Sequence, residues 1–158
     1  MKIENYKLKI GSSGFSLLEI VMVIAIFTMV LVTALYFFSK LNKKEVLEKD
    51  VSSAVALIRN ARALSVTSKN ASPFGIHFEN DKVVLFEGSS YIAGGVNEKI
   101  TKLSGDVYIS EYSLNLGGPD IIFSRLIGNT SNYGTVTFSL KDDSASTTIT
   151  ILSTGVIQ

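Results

Sequence analysis

Cysteine is absent from the 158 residues, which excludes both a disulfide framework and a thiolate site. Histidine occurs once, at position 77. With no glycine-rich phosphate loop and no cluster of metal ligands either, the sequence offers no catalytic residues and no cofactor or metal site. An excess of charge of one sign is missing too. Fifteen basic residues face fourteen acidic ones, a net charge of +1. Such a chain has no global field for gathering nucleic acid or acidic substrates. Glycine and proline are both missing from Phe15 through Ser72, a stretch of 58 residues. Nothing in that stretch breaks a helix, so its length is limited only by what its side chains can pack against.

What fills the stretch changes along its length. Residues 20–38 carry no formal charge, and only Thr28 and Thr33 have polar side chains. At a rise of ~1.5 Å per residue, a helix over 15–38 spans roughly 36 Å, enough to cross a hydrocarbon core of ~30 Å. No Ala-x-Ala-like site follows the run, as an ordinary secretory signal would require. Glu19 sits near the start of the apolar segment, where a charge costs several kcal/mol and is either neutralised or functional. Beyond residue 38 the pattern becomes amphipathic. Leu47, Val51, Ala54, Val55, Ile58 and Ala61 recur at spacings of three and four, with Lys44, Glu48, Lys49, Asp50, Arg59 and Lys69 falling mostly between them. The periodicity predicts one helix from Phe15 to about Lys69, ended by residues 70–73, because the residue before proline disfavours the α region. Arg59 and Arg62 are expected on the helix flank, snorkelling over neighbouring surface.

From Phe74 the period changes to two. Residues 74–79 and 82–87 around Asn80-Asp81 read as a β-hairpin, and residues 88–95 as a loop. Further strands are expected at 107–114, 120–126, 135–140 and 147–152, with a short last one at Val156-Ile157. Gly117-Gly118-Pro119, residues 128–134 and residues 142–145 punctuate them. His77 alternates with Ile76 and Phe78 and so belongs to the more polar face of its strand. Asp142-Asp143 reads as a solvated hairpin turn. The fold class is α+β, a long N-terminal helix whose outer half packs on antiparallel β-structure.

Gly14-Phe15-Ser16-Leu17-Leu18-Glu19, behind a short basic leader with Lys2, Lys7 and Lys9 and ahead of an apolar helix, resembles the class III signal of type IV pilin-like proteins. In that family a prepilin peptidase cuts after the glycine on the cytoplasmic side and methylates the new N-terminus. The resemblance therefore implies Gly14 and Phe15 at the cleavage site, Phe15 as the N-methylated residue, and Glu19 as the subunit-assembly residue. Cleavage would leave a cationic amine on Phe15 beside lipid, and a carboxylate at Glu19, in the same subunit or a neighbour, would neutralise it. In a low dielectric such a pair matters more than at a surface. The domains implied are a leader at 1–14, a transmembrane and N-methylation segment at 15–38, the exported amphipathic half-helix at 39–72 and a β-rich globular domain at 73–158. Lys40, Lys43 and Lys44 beyond the apolar run nearly balance the leader's lysines, so charge alone leaves orientation open. The resemblance places the leader in the cytoplasm and the C-terminal domain outside.

Ala61-Arg62, Gly75-Ile76-His77-Phe78, Ile122-Phe123-Ser124-Arg125 with Gly128, residues 147–152 and Gly155-Val156-Ile157 together look like the GspH/FimT group of minor pseudopilins and minor pilins. The absence of tryptophan, and of proline after Pro119, sets the chain apart from the calcium-dependent major pseudopilins. The implied role is a structural subunit of a type II secretion pseudopilus or a type IV pilus, single-pass in the bacterial inner membrane before assembly. The implied partners are the prepilin peptidase, other pilin or pseudopilin subunits in a hetero-oligomeric filament, an inner-membrane assembly platform and membrane lipid. An exported ligand-binding subunit, for instance one that binds DNA in natural transformation, is the alternative. Against nucleic acid, residues 153–158 lack the basic tail of the DNA-binding relatives.

Overall fold

The computed structural model describes residues 14–95 and 97–158. It divides into two units, one ending at Ser39 and the other comprising Lys40–Gln158. A single helix, α1 (Leu17–Val66), contributes to both. Apart from Gly14, the residues expected to form a leader lie outside the described residues.

In the first unit every residue from 14 to 38 is exposed. The segment is long and apolar enough to cross a membrane, with a mean hydropathy of 2.7 over its best window. The hydroxyls of its two threonines are satisfied without water. The Thr28 hydroxyl donates to the Ala25 carbonyl, and that of Thr33 to the carbonyls of Met29 and Val30. Such back-bonding to the preceding turn hides a hydroxyl in an apolar setting.

In the second unit the stripe expected of α1 is buried at Leu47, Val51, Ala54, Ile58 and Ala61, with Val55 half-buried; Leu57 joins it. These side chains share one core with the inward faces of two antiparallel sheets. The strands are β1 (Phe74–Glu79), β2 (Lys82–Glu87), β3 (Lys99–Lys102), β4 (Val107–Leu114), β5 (Asp120–Phe123), β6 (Gly134–Leu140) and β7 (Ser146–Ile151). One sheet has the order β3-β2-β1-β5 and the other β4-β6-β7. The β1–β2 hairpin forms as the alternation predicts, Glu79 opposite Lys82 across the Asn80-Asp81 turn.

Several expected boundaries move, each for a local reason. α1 stops at Val66, short of Lys69, because the Ser65 carbonyl is taken by the N–H groups of Ser68 and Leu126. The buried Ser65 hydroxyl accepts from the Phe74 N–H at 2.8 Å and ties the helix end to β1. A 3-10 turn, Lys69–Ala71, follows, with Ser68, Asn70 and Ala71 at positive φ. β5 ends at Phe123 rather than Leu126, since Ser124 N–H turns to the Asn129 carbonyl and Leu126 adopts φ 69°. β3 was not anticipated: its four residues begin and end in lysine and bury no side chain fully. Ile157 makes one bridge, to Ile151, in place of a last strand. Asp50 is the clearest correction. Expected among solvent-facing charges, it is 8 % exposed, and its carboxylate accepts the N–H of Ser104 at 2.6 Å and the Ser104 hydroxyl at 3.1 Å.

Candidate functional site

The residues that carry chemistry fall into three places. The first is the start of α1. The Ser16 carbonyl accepts from the N–H of Glu19 at 3.0 Å and of Ile20 at 3.2 Å, which makes Ser16 the residue from which the helix grows. Glu19 lies in the first turn, where the helix dipole favours a carboxylate. It is exposed, and among the described residues no cation pairs with it. Phe15 is 78 % exposed, and a Cβ built on Gly14 would meet nothing within 4 Å. Nothing described in the chain itself therefore requires glycine at 14, an aromatic at 15 or an acid at 19.

The second place is the far end of α1, where Arg62 is more than a snorkelling flank residue. It is half-buried, donating Nε–H to the Gly128 carbonyl at 3.0 Å and Nη2–H to the Thr154 carbonyl at 3.2 Å. One side chain thus ties the helix to the loop after β5 and to the turn after β7. Gly155 makes the approach possible: it has φ 74°, and a Cβ there would fall 2.1 Å from the Gly128 carbonyl oxygen. Arg125 donates to the Ala71 carbonyl at 2.8 Å, while Arg59 is exposed, as expected. Three residues of the loose GspH/FimT-like pattern, Arg62, Gly128 and Gly155, are one cluster.

The third place is the outer face of the β3-β2-β1-β5 sheet. Register puts Gly75 between Phe86 and Ile122, and His77 between Val84 and Asp120. A Cβ on Gly75 would come within 2.5 Å of the Phe86 ring, so glycine here lets Phe86 lie across β1. The His77 ring is stacked on Tyr91 with centroids 3.9 Å apart and an interplanar angle of 17°; Tyr91 also leans on Phe86 at 5.5 Å. His77 Nδ1 is 2.5 Å from the Asp120 carboxylate and Nε2 is 3.8 Å from that of Glu79. Lys82 pairs with Glu79 at 3.1 Å, and that bond holds its ammonium above the ordinary lysine range. Burial first, then the carboxylates of Glu98 and Glu79, pushes the Tyr91 phenol up. The polar face foreseen for His77 exists, with partners that local spacing did not reveal.

Beside it, a cavity of about 530 Å³ is lined by Phe86, Glu87, Ile92 and Asn97 together with Asn70 and Ser72. The amides of Asn97 and Asn70 donate to Glu87 at 2.7 and 3.0 Å and hold its carboxyl below the usual range. At the Asp142-Asp143 turn, Lys43 from α1 bonds Asp142 at 2.5 Å, and Ser144 adds its hydroxyl and N–H. Together they keep the Asp142 carboxyl well below the usual carboxylate range. Among the described residues no group of three or more histidines and carboxylates is placed to hold a metal ion.

A long apolar N-terminal helix whose outer part shares a core with antiparallel sheets is the pilin fold. The crystal structure of the type IV minor pilin FimU of Pseudomonas aeruginosa (strain PAO1) superposes with a TM-score of 0.52. The match covers 73 % of this chain and 89 % of that one at 13 % identity, a likeness of fold. No protein-family model and no curated protein sequence matches the chain.

Proposed function

We propose that the chain is a structural subunit, a minor pilin or pseudopilin, of a type IV pilus or a type II secretion pseudopilus. The observation that carries the proposal is the first half of α1. Its apolar surface is wholly exposed, and Gly14, Phe15 and Glu19 at its start have no use within the described chain. Residues that a chain does not need for its own fold are explained by what other molecules do with them. An apolar helix fits lipid first and the helices of neighbouring subunits afterwards. The open space at Gly14 fits a bond that a peptidase must approach closely, and Glu19 fits the amine that cleavage would create on Phe15. The likeness to a minor pilin supports the same reading from the side of the fold. In it, residues 15–38 anchor the chain in the inner membrane, the second unit is exported, and an assembly platform stacks the subunits.

DNA binding has weaker support. At the far end of α1, Arg62 and Arg125 are engaged with backbone carbonyls, leaving Arg59 and Lys69 to meet phosphates. A salt-titrated binding assay that gives a steep loss of affinity would favour that alternative.

Processing tests the proposal. Intact mass of the membrane-extracted protein should give a chain beginning at methylated Phe15. Gly14→Leu should leave the full-length chain, because a side chain there obstructs the peptidase. An uncut protein that still enters a filament would refute the proposal.

A further inference from the structure

We propose that His77 is an acid-tightened latch that fastens the loop at residues 88–95 to the outer face of the β3-β2-β1-β5 sheet through Tyr91. The proposal stands apart from the filament reading, because it concerns only groups inside the second unit. A carboxylate can only accept, so the short contact between His77 and Asp120 requires the proton on Nδ1. In the neutral ring, Nε2 is then a bare lone pair facing the Glu79 carboxylate at 3.8 Å, a contact that contributes nothing or repels. A second proton taken up from solvent at Nε2 turns that contact into an ion pair and places a cation under the Tyr91 ring, 3.9 Å away and nearly parallel.

The surrounding charges give the sign. From β1 comes Glu79, from β5 Asp120, and from β2 Lys82, which shares Glu79 at 3.1 Å. From the connection after β2 come Tyr91, a neutral phenol in this range, and Glu98 further off. An imidazolium at this position pairs with both Glu79 and Asp120. The latch should therefore tighten as the pH falls from about 8 to about 5. Tyr91 connects the ring to the loop, whose Ile92 side chain is 72 % exposed. Tightening fixes how that apolar side chain is presented beside the cavity at Phe86.

His77 is the chain's one histidine, so its replacement removes every imidazole. The test is backbone hydrogen exchange at residues 89–95 of the full-length protein in detergent micelles, at pH 8 and pH 5. Each rate is divided by the unstructured rate at the same pH, and the β2 amides serve as the folded reference. Protection of the loop should rise about threefold on acidification, the scale of one partly exposed ion pair. His77→Phe, which keeps a ring for Tyr91 but carries no proton, should show equal protection at both pH values. Unchanged or lower wild-type protection at pH 5, or a rise that survives in His77→Phe, would overturn the latch. Should His77→Phe lose its β2 protection, Glu79→Gln decides the matter: less than half of the wild-type rise supports the latch, and the full rise overturns it.

Discussion

Residues 17–38 and residues 42–65 belong to the same helix and obey opposite rules. In the first stretch every side chain is exposed although nearly all are apolar. In the second, charged residues occupy much of the surface, and the apolar positions at every third or fourth residue are buried against two sheets. The outer stretch is specified by its own chain: exchange a buried residue and the core registers it. Among the described residues the inner stretch has no intramolecular reason for its composition, and the proposed function assigns its constraints to lipid and to other chains. What differs is the partner.

The largest expected effect breaks the outer stretch. Ile58 is fully buried, and Ile58→Asp places an unpaired charge in the core, destabilising the second unit by about 4 kcal/mol or more. Lys49→Asp, on the exposed side of the same helix, should stay within about 0.5 kcal/mol. Thermal melting of the detergent-solubilised protein compares them. Equal melting of the two variants would show that the stripe does not organise the domain.

A smaller effect is expected at Asp50, which shows that the outer stretch also buries a charge where it has bonds to make. Asp50→Ala strands the N–H of Ser104 and should cost about 2 kcal/mol, with Asp50→Asn recovering part of it. Denaturant midpoints read the difference. An Asp50→Ala variant as stable as wild type would return this residue to the solvated face.

Smaller still is the surface pair of Lys43 and Asp142, with side chains 42 % and 41 % exposed. The folded-state pKa of Asp142 is depressed, so its contribution is present above the ordinary aspartate range and is lost as the pH falls through and below it. Lys43→Met should melt slightly below wild type at pH 7, the gap closing toward about pH 3. A gap that widens on acidification would reverse the sign.

Much of this architecture was legible along the chain. The helix reads from the missing breakers, the β1–β2 hairpin from alternation around Asn80-Asp81, and β4 to within its observed ends. What could not be read depends on partners distant in sequence. Asp50 looks like any helix-surface charge until Ser104, 54 residues on, is placed beside it. His77 finds Asp120 across 43 residues, and Arg62 finds Gly128 and Thr154 across 66 and 92. The division into two sheets is a choice of strand neighbours, which alternation within a strand does not encode. β3 escaped because its lysines mask a short apolar signal. Gly14, Phe15 and Glu19 stood out for the opposite reason: they break the pattern of an anchor helix, and the fold leaves the anomaly unexplained from within.

That anomaly is where the comparison between the two stretches is most exposed to test. Glu19→Leu removes a charge from an apolar segment, so a helix answering only to lipid should insert as well as before or better. The proposed cleavage reads the Gly14-Phe15 bond and not Glu19, so maturation and assembly can be scored separately in the same cells. If Glu19 neutralises the Phe15 amine as subunits dock, the variant should insert, be cut to begin at Phe15, and be missing from sheared filaments. Incorporation of mature Glu19→Leu at the wild-type level would contradict the account.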